Sequence, residues 1–420
     1  MLPLVSIIIP VFNGSNYLKE AIDSALAQSY ENVEIIVVND GSNDFGATRD
    51  IALSYGDKIR YFEKDNEGVS SALNLGIREM RGEFFSWLSH DDIYLPDKIK
   101  IEMNAFKLAD NDVVAVYSGW DSLVMPGREY VERGDLQRGL PRRFQESGTL
   151  AVMFSWIHGC SLLIPKSLLV EAGGFDLKYK TVQDYKMWFD LFRGKRLIYI
   201  PQKLMYSRIH LEQGSRTNKY MYEEENWLWI WMINELNDRD VELSKVDLYS
   251  ICSFMVHNWS QVRPITQYRE LLKKMISLPE PSNLSKKVNE LWGALQGAQN
   301  GLYVYCAGNR GQFLTAALQR LNFHIDGIGE SDCSKWGQKY AGVEIIPCER
   351  INRKACVIVA KKNPWDLVEM LKQSNFENVT TINKIYKYLI STPIYKNNIV
   401  KIYKDVVQGS NDDEDSGTGG

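Results

Sequence analysis

Through the first hundred positions, short runs of β-branched apolar residues alternate with stretches whose apolar positions recur every three or four residues. That alternation is the habit of a parallel sheet connected by crossover helices. Residues 5–9 form the first run, and Leu18, Ala21, Ile22, Ala25 and Leu26 then share one face, which predicts an amphipathic helix over 16–28. The runs at 33–38 and 59–62 predict further strands, 69–80 a helix and 84–88 a fourth strand. Pro96 is expected to open another helix in its first turn, with Ile99, Met103 and Phe106 inward, before a strand at 113–117.

Beyond Ser118 the pattern loosens into short strands and loops up to about 214, a region expected to cover the ligand edge of the sheet. From 220 to about 299 it is helical, and Trp227, Trp229 and Trp231 sit in a segment apolar on all sides. Packing between domains or copies is the favoured explanation, and an acceptor or membrane-surface platform is the other. A second α/β pattern begins near Gly301. The expected organisation is an α/β domain over 1–218, a helical tryptophan-rich connecting region over 219–299, a small α/β domain over 300–395, and a segment over 396–420 that ends in a disordered acidic tail.

Composition narrows the class. The 420 residues suffice for two to three domains, and 45% hydrophobic with 24% charged residues is an ordinary globular balance. A formal charge of −4 provides no basic field, so nucleic acid is not an expected partner. The six cysteines form no C-x-x-C pair and no zinc spacing, and read as reduced thiols. No run of about 18 apolar residues occurs, and Pro10 stops the apolar start before it resembles a signal peptide. A cytoplasmic protein is expected, with peripheral association at the inner face of a membrane left open.

In a parallel sheet, ligands bind beyond the carboxyl ends of the strands. The residues there are Pro10-Val-Phe-Asn-Gly14, Asn39-Asp-Gly-Ser-Asn-Asp44, Asp65-Asn-Glu-Gly68 and Ser89-His-Asp-Asp92. Each alone reads as a turn, and Asp40 or Asp44 taken singly as a solvated turn or helix cap. Together, over roughly 3–215, they resemble the inverting family 2 glycosyltransferases of the GT-A fold. The resemblance implies a GT-A-type nucleotide-binding sheet with crossover helices, a nucleoside pocket lined by Pro10, Phe12 and Asn13, and Asp40 accepting a hydrogen bond from the base. A base imino N–H is a donor that needs such an acceptor. Asn66, Gly68, Ala72, Asn74 and Gly76 match the family's N-x-G-x-x-x-A-x-N-x-G stretch, which sets Asn66, Gly68 and Asn74 beside the donor.

The segment 89–92 resembles the family's D-x-D metal motif with Ser89 in the first position, so that Asp91 becomes the principal ligand and donor contact, with Asp92 beside it. Adjacent buried carboxylates are costly unless a cation neutralises them, and Mn²⁺ or Mg²⁺ bridging them to a diphosphate is the implied cofactor. His90 is equally a ligand or a loop histidine. Further on, His158-Gly-Cys-Ser161, Gly173-Gly-Phe-Asp176 and Gln183-Asp-Tyr-Lys-Met-Trp188 match the acceptor region. By the resemblance His158, Gly159 and Trp188 face the acceptor and Asp184 is the general base, whose pKa an aromatic setting would raise toward its working range. Without the family, Asp184 is equally a helix N-cap. The segment 206–215 resembles the closing loop, with Arg208 meeting phosphate and His210 completing the metal shell, an exposed loop histidine being the other reading.

The implied function is metal-dependent inverting transfer of a sugar from a nucleoside-diphosphate sugar to a saccharide or lipid-linked acceptor, in bacterial surface polysaccharide synthesis. Homo-oligomerisation through the helical region stays open. A sugar-phosphate nucleotidyltransferase is the first competitor, although residues 10–15 contain no Lys or Arg for a phosphate loop. A non-catalytic sugar-nucleotide-binding assembly subunit is the second. In the last domain, Cys306-x-Gly308-x-x-Gly311 resembles a Rossmann fingerprint whose first glycine is Cys306, and Glu330 and Asp332 follow at the spacing of a ribose-binding acid. A Rossmann-like domain that binds no dinucleotide is the expectation.

Overall fold

The computed structural model describes residues 2–131, 140–213, 218–259, 265–361, 364–382, 384 and 392–404. The expected acidic tail and Ser215 lie outside them. The chain divides into two compact units, Met1–Gln137 with Arg142–Met232, and Arg138–Pro141 with Ile233–Gly420. The expected connecting region 219–299 is therefore shared between the units, with the division falling inside its first helix.

The first unit runs β1 (Val5–Val11), α1 (Leu18–Leu26), β2 (Val33–Asp40), α2 (Ala47–Leu53), β3 (Arg60–Lys64), α3 (Val69–Glu79), β4 (Phe84–Trp87), β5 (Ile93–Tyr94), α4 (Lys98–Lys107), β6 (Val113–Val124) and β7 (Glu129–Val131). It continues with α5 (Arg142–Gln145), α6 (Gly148–Met153), β8 (Leu162–Pro165), α7 (Lys166–Glu171), α8 (Gln183–Phe192), β9 (Arg196–Ile209) and the start of α9 (Met221–Glu235). The sheet order is β3-β2-β1-β4-β8-β6-β9-β5, with β7 on β6. β1, β2, β3 and β4 pair in parallel, whereas β4 and β6 meet β8 antiparallel. β1 is buried along its whole length, which is why its sequence is a continuous apolar run rather than an alternation. α3 lies so close to β1 that a Cβ on Gly76 would stand 2.5 Å from Ile8. The small residues of that stretch serve helix-to-sheet approach.

Two expectations about elements change. Pro96 is the second residue of a turn closed by the Lys98 amide donating to the Leu95 carbonyl, and the N-cap of α4 is Asp97, so the proline leads into the helix and does not lie within it. The region after Ser118 holds the two longest strands, β6 and β9, paired in parallel with register shifts at Ser118/Gly119 and Gly119/Asp121. Bulges interrupt the two-residue period, and that interruption made long strands read as short ones. Behind the end of β4, Lys98 and Glu102 form a fully buried pair at 2.7 Å. Ser118 donates to Glu102 at 2.9 Å, and Tyr94 Oη donates to the Trp87 carbonyl at 2.6 Å.

The second unit contains helices Leu248–Trp259, Ile265–Ser277 and Leu284–Ala294, then a sheet of β10 (Leu302–Tyr305), β11 (Gly327–Gly329), β12 (Lys339–Tyr340), β13 (Val343–Ile346), β14 (Cys356–Val359) and β15 (Asn378–Thr381). Its order is β12-β13-β11-β10-β14-β15, parallel except for the β12–β13 hairpin. Tyr305, Ile346, Val357, Val359, Leu371 and Phe376 build one core on this sheet.

Candidate active site

A cleft of about 950 Å³ opens at the carboxyl ends of the first unit's strands, near the top of the usual range for ligand sites. Of the sequence-predicted residues it brings together Pro10, Phe12, Asn13, Asp40, Asp91, Asp92, His158, Gly159, Asp184 and His210. Asn66, Gly68, Asn74, Arg208 and Trp188 are not among its lining.

The loops after β1 and β2 are fastened together. Asn13 donates from its backbone to Ser42 Oγ at 2.8 Å and from its side chain to Asn43 Oδ1 at 2.8 Å, while Asn43 returns a bond to Asn13 Oδ1. Gly14 has no room for a side chain, since a Cβ would lie 2.4 Å from the His90 ring. Asp40 ends β2, where its Oδ1 accepts from Lys64 Nζ at 3.0 Å and the Glu67 amide at 3.2 Å, and its Oδ2 accepts from the Gly68 amide at 2.7 Å. A carboxylate has about four acceptor sites, so one remains for a ligand donor. Gly68 thus contributes its backbone to holding Asp40, and Asn66 packs its amide against Gly41.

β4 ends by delivering two carboxylates into different surroundings. Asp91 Oδ2 stands 3.0 Å from His210 Nε2 at the end of β9. Burial works to raise the Asp91 pKa, but the His210 hydrogen bond and the neighbouring His90 hold it below the ordinary range. Burial pushes the His90 pKa down. Asp92 turns the other way: its Oδ1 accepts from the Arg208 amide at 2.9 Å, and its Oδ2 lies 3.9 Å from His158 Nε2. Burial, then the charge of Asp91, pushes its pKa far up. Among the described residues the donor atoms of Asp92, His158 and Cys160 lie within 4.8 Å of one another. His158 Nδ1 accepts from the Cys160 amide at 3.2 Å, which leaves the ring proton on Nε2, beside Ser207 Oγ at 3.2 Å. Burial pushes the Cys160 thiol pKa far up. One half of the cleft thus gathers Asp92, His158 and Cys160, and the other pairs Asp91 with His210.

Arg208 is 1% exposed and does not face the cleft. Its Nε donates to the Asp91 carbonyl at 2.6 Å, its guanidinium reaches Glu20 at 3.0 Å, and it lies 4.2 Å over the Tyr17 ring. The expected phosphate contact is thus replaced by a clamp on the Asp91 backbone. Trp188, expected beside the acceptor, is fully buried, stacked on Phe192 and edge-on to Phe175. Met187, Trp188, Phe189, Leu191 and Phe192 are all buried, so α8 packs most of its circumference into the core and Trp188 with it.

Asp184 lies in the first turn of α8, and the N-cap is Val182, so the capping reading does not hold. Its Oδ1 accepts from the Tyr185 amide at 2.8 Å. Burial raises its pKa from 3.8 to about 6. The approach to α8 is braced at both ends. Asn74 brackets Phe175, accepting from its amide and donating to its carbonyl, each at 2.8 Å. Glu224 in α9 accepts from the Lys180 amide at 2.9 Å and from the Thr181 amide and hydroxyl at 2.8 and 2.7 Å. Sequence reasoning missed Glu224, Cys160 and Trp120, the last lining the cleft with its ring 5.4 Å from that of His158. An acid in the first turn of a helix signals only a favourable dipole contact, so nothing local marked Glu224 as a brace.

Residues 6–158 match the family described as Glycosyl transferase family 2. An uncharacterized glycosyltransferase of Rickettsia typhi is 45% identical over 252 residues, which is 60% of this chain and 78% of that one. An uncharacterized glycosyltransferase of Rickettsia felis is 48% identical over 241 residues, 57% of this chain and 40% of the relative. The match thus spans less than half of the length of the longer relatives. A crystal structure of S. aureus TarS 1–349 in complex with UDP aligns with 76% of this chain and 85% of its own, at 17% identity and a TM-score of 0.44.

Proposed function

This chain belongs to glycosyl transferase family 2, and on that premise we propose that its cleft transfers a sugar from a nucleoside-diphosphate donor to an acceptor hydroxyl with inversion, Asp184 acting as the general base. The observation that carries this reading is Asp184 itself, a carboxyl in the cleft wall whose pKa burial raises to about 6. A base poised near neutrality takes a proton in the transition state without being protonated at rest. In the proposed step the acceptor oxygen forms its bond to the anomeric carbon as its proton passes to Asp184. The bond from that carbon to the diphosphate oxygen breaks on the opposite face, and the electron pair leaves with the diphosphate.

On the donor side, Asp40 offers its remaining acceptor site to the base, beside Pro10, Phe12 and Asn13. The fit for a hard divalent ion is supported by the donor set, a carboxylate and an imidazole brought together in the cleft wall. Asp91 and His210 would hold Mn²⁺ or Mg²⁺, while Asp92, tied to the Arg208 amide, would stay outside the shell. Such an ion supplies charge neutralisation for the departing diphosphate. The acceptor is a saccharide or a lipid-linked saccharide of bacterial surface polysaccharide synthesis.

Thermal shift with UDP, GDP and dTDP, with and without Mn²⁺, tests the donor side. A ligand at about 100 times its Kd stabilises the native state by about 2.7 kcal/mol. We expect one nucleotide to stabilise the chain more with Mn²⁺, and Asp91→Asn to lose the Mn²⁺-dependent part. An Asp91→Asn variant with an undiminished Mn²⁺ response would remove Asp91 from the metal shell.

A further inference from the structure

Trp120 lines the cleft, and the proposed transfer step gives it no role. It lies in β6 where the register passes from Gly119↔Lys203 to Asp121↔Tyr206, and it falls between the two pairs. β9 therefore carries one residue more than β6 at this point, and such a bulge re-aims the side chains beside it. The Nε1 edge of Trp120 is buried while the residue as a whole is only half-buried, so what it offers the cleft is apolar indole surface. The His158 ring packs beside it at 5.4 Å with 49° between the planes. That neighbour sets Trp120 on the wall that carries Asp184. Tyr185, next to Asp184 in α8, donates from its Oη to the Ile157 carbonyl at 3.0 Å, directly before His158. Asp40 and Asp91, which the proposed step gives to the nucleotide and the diphosphate, stand instead at the end of β2 and after β4.

Polar groups border the indole. His158 Nε2 lies 3.2 Å from Ser207 Oγ, and both residues line the cleft. A flat apolar surface edged by an imidazole and a hydroxyl suits a ligand that is apolar on its faces and polar around its rim. A pyranose has that form, since its axial C–H groups meet the negative face of an aromatic ring while its hydroxyls point outward to hydrogen-bond. An isoprenoid or acyl chain in the same place would strip water from His158 and Ser207 and return no hydrogen bond. We infer that Trp120 is the platform on which the acceptor's sugar ring stacks, with His158 and Ser207 meeting its hydroxyls, so that the attacking oxygen belongs to a pyranose. That a pyranose stacks there stands on Trp120 and its neighbours alone, while calling that sugar the acceptor rests on the transfer reading and on Asp184.

Saturation-transfer NMR of the full chain with the methyl pyranosides of glucose, galactose, mannose, N-acetylglucosamine and rhamnose tests this without donor or turnover. We expect at least one of them to be saturated, most strongly at the C–H groups of one ring face. Trp120→Leu, which keeps apolar bulk but no flat face, should weaken that binding by about tenfold, and Trp120→Phe should retain most of it. Trp365→Ala, which removes a tryptophan that is 65% exposed in the second unit, should bind like the wild type. The thermal shifts given by UDP-glucose, GDP-mannose and dTDP-glucose should be the same in Trp120→Leu as in the wild type. The inference is overturned if the wild type saturates no pyranoside, if Trp120→Leu binds like the wild type, or if Trp120→Phe or Trp365→Ala loses as much as Trp120→Leu. It is also overturned if Trp120→Leu lowers a nucleotide-sugar shift, which would give the indole to the donor's sugar. Asp184→Asn should keep the pyranoside, so a failure of the base assignment shows in the transfer rate and leaves this binding unchanged.

Discussion

At the scale of single residues, the site depends on how burial treats similar carboxylates differently. Asp91 keeps a histidine partner that holds its pKa down, burial pushes the Asp92 pKa far up, and Asp184, which accepts from the Tyr185 amide, is raised to about 6. The Asp184 shift implies a dependence of stability on pH. Its folded pKa lies above the unfolded 3.8, so above about pH 6 the folded state holds an ionised carboxylate at a disadvantage of at most about 3 kcal/mol, which fades to nothing below the unfolded pKa. Asp184→Asn should therefore melt higher than the wild type at pH 8, with the gain shrinking as pH falls from 6 to 4. A melting difference that does not change with pH would mean that Asp184 is not the strained carboxylate described. Asp184 and Asp91 were legible from the sequence because ordered motifs place them at a strand end and after a double-glycine turn. Trp188 and Arg208 were misread because sequence spacing does not say which helix face is buried, nor whether an arginine is already engaged by Glu20.

At the scale of elements, the helix that carries Asp184 is aimed by its neighbours. Asn74 in α3 and Glu224 in α9 fix the segment that delivers Asp184, and Gly174 makes the bend possible at a φ of 83°. A Cβ on Gly174 would stand 2.5 Å from Asn74 Oδ1. Gly174→Ala should destabilise the chain by about 1–3 kcal/mol through backbone strain. It should also lower kcat by about 10–100-fold, since displacement by about 1 Å can cost 10²-fold. Donor affinity should stay within about twofold, because these residues do not touch Asp40 or Asp91. Equal losses in kcat and donor affinity would show the turn to support the whole cleft. β1, β2 and β4 could be read from periodicity because each is a buried apolar run, whereas α2 and the two-residue β5 were not read. β6 and β9 could not, because their bulges break the period and their pairing joins residues far apart in sequence.

At the scale of the whole molecule, the named site residues all belong to the first unit. In the second, Cys306 stands at a φ of 87° where a fingerprint glycine would be, and Glu330 accepts from the Ala307 amide at 2.9 Å. That amide would otherwise face a dinucleotide phosphate. Titrating the full chain with NADH should therefore show no saturable fluorescence change, and a saturable one would mean that Glu330 gives way to ligand. The family match ends at residue 158, before Asp184, so the base proposed above rests on its place in the cleft wall and on the burial that raises its pKa. The most direct test is single-turnover transfer with donor saturating, comparing wild type with Asp184→Asn. We expect the variant to be slower by about 10²–10⁴-fold with donor affinity unchanged, because an amide keeps the shape but cannot take the proton. The wild-type rate should fall as pH drops below about 6. A variant that transfers at close to the wild-type rate would contradict the account and leave the base unassigned.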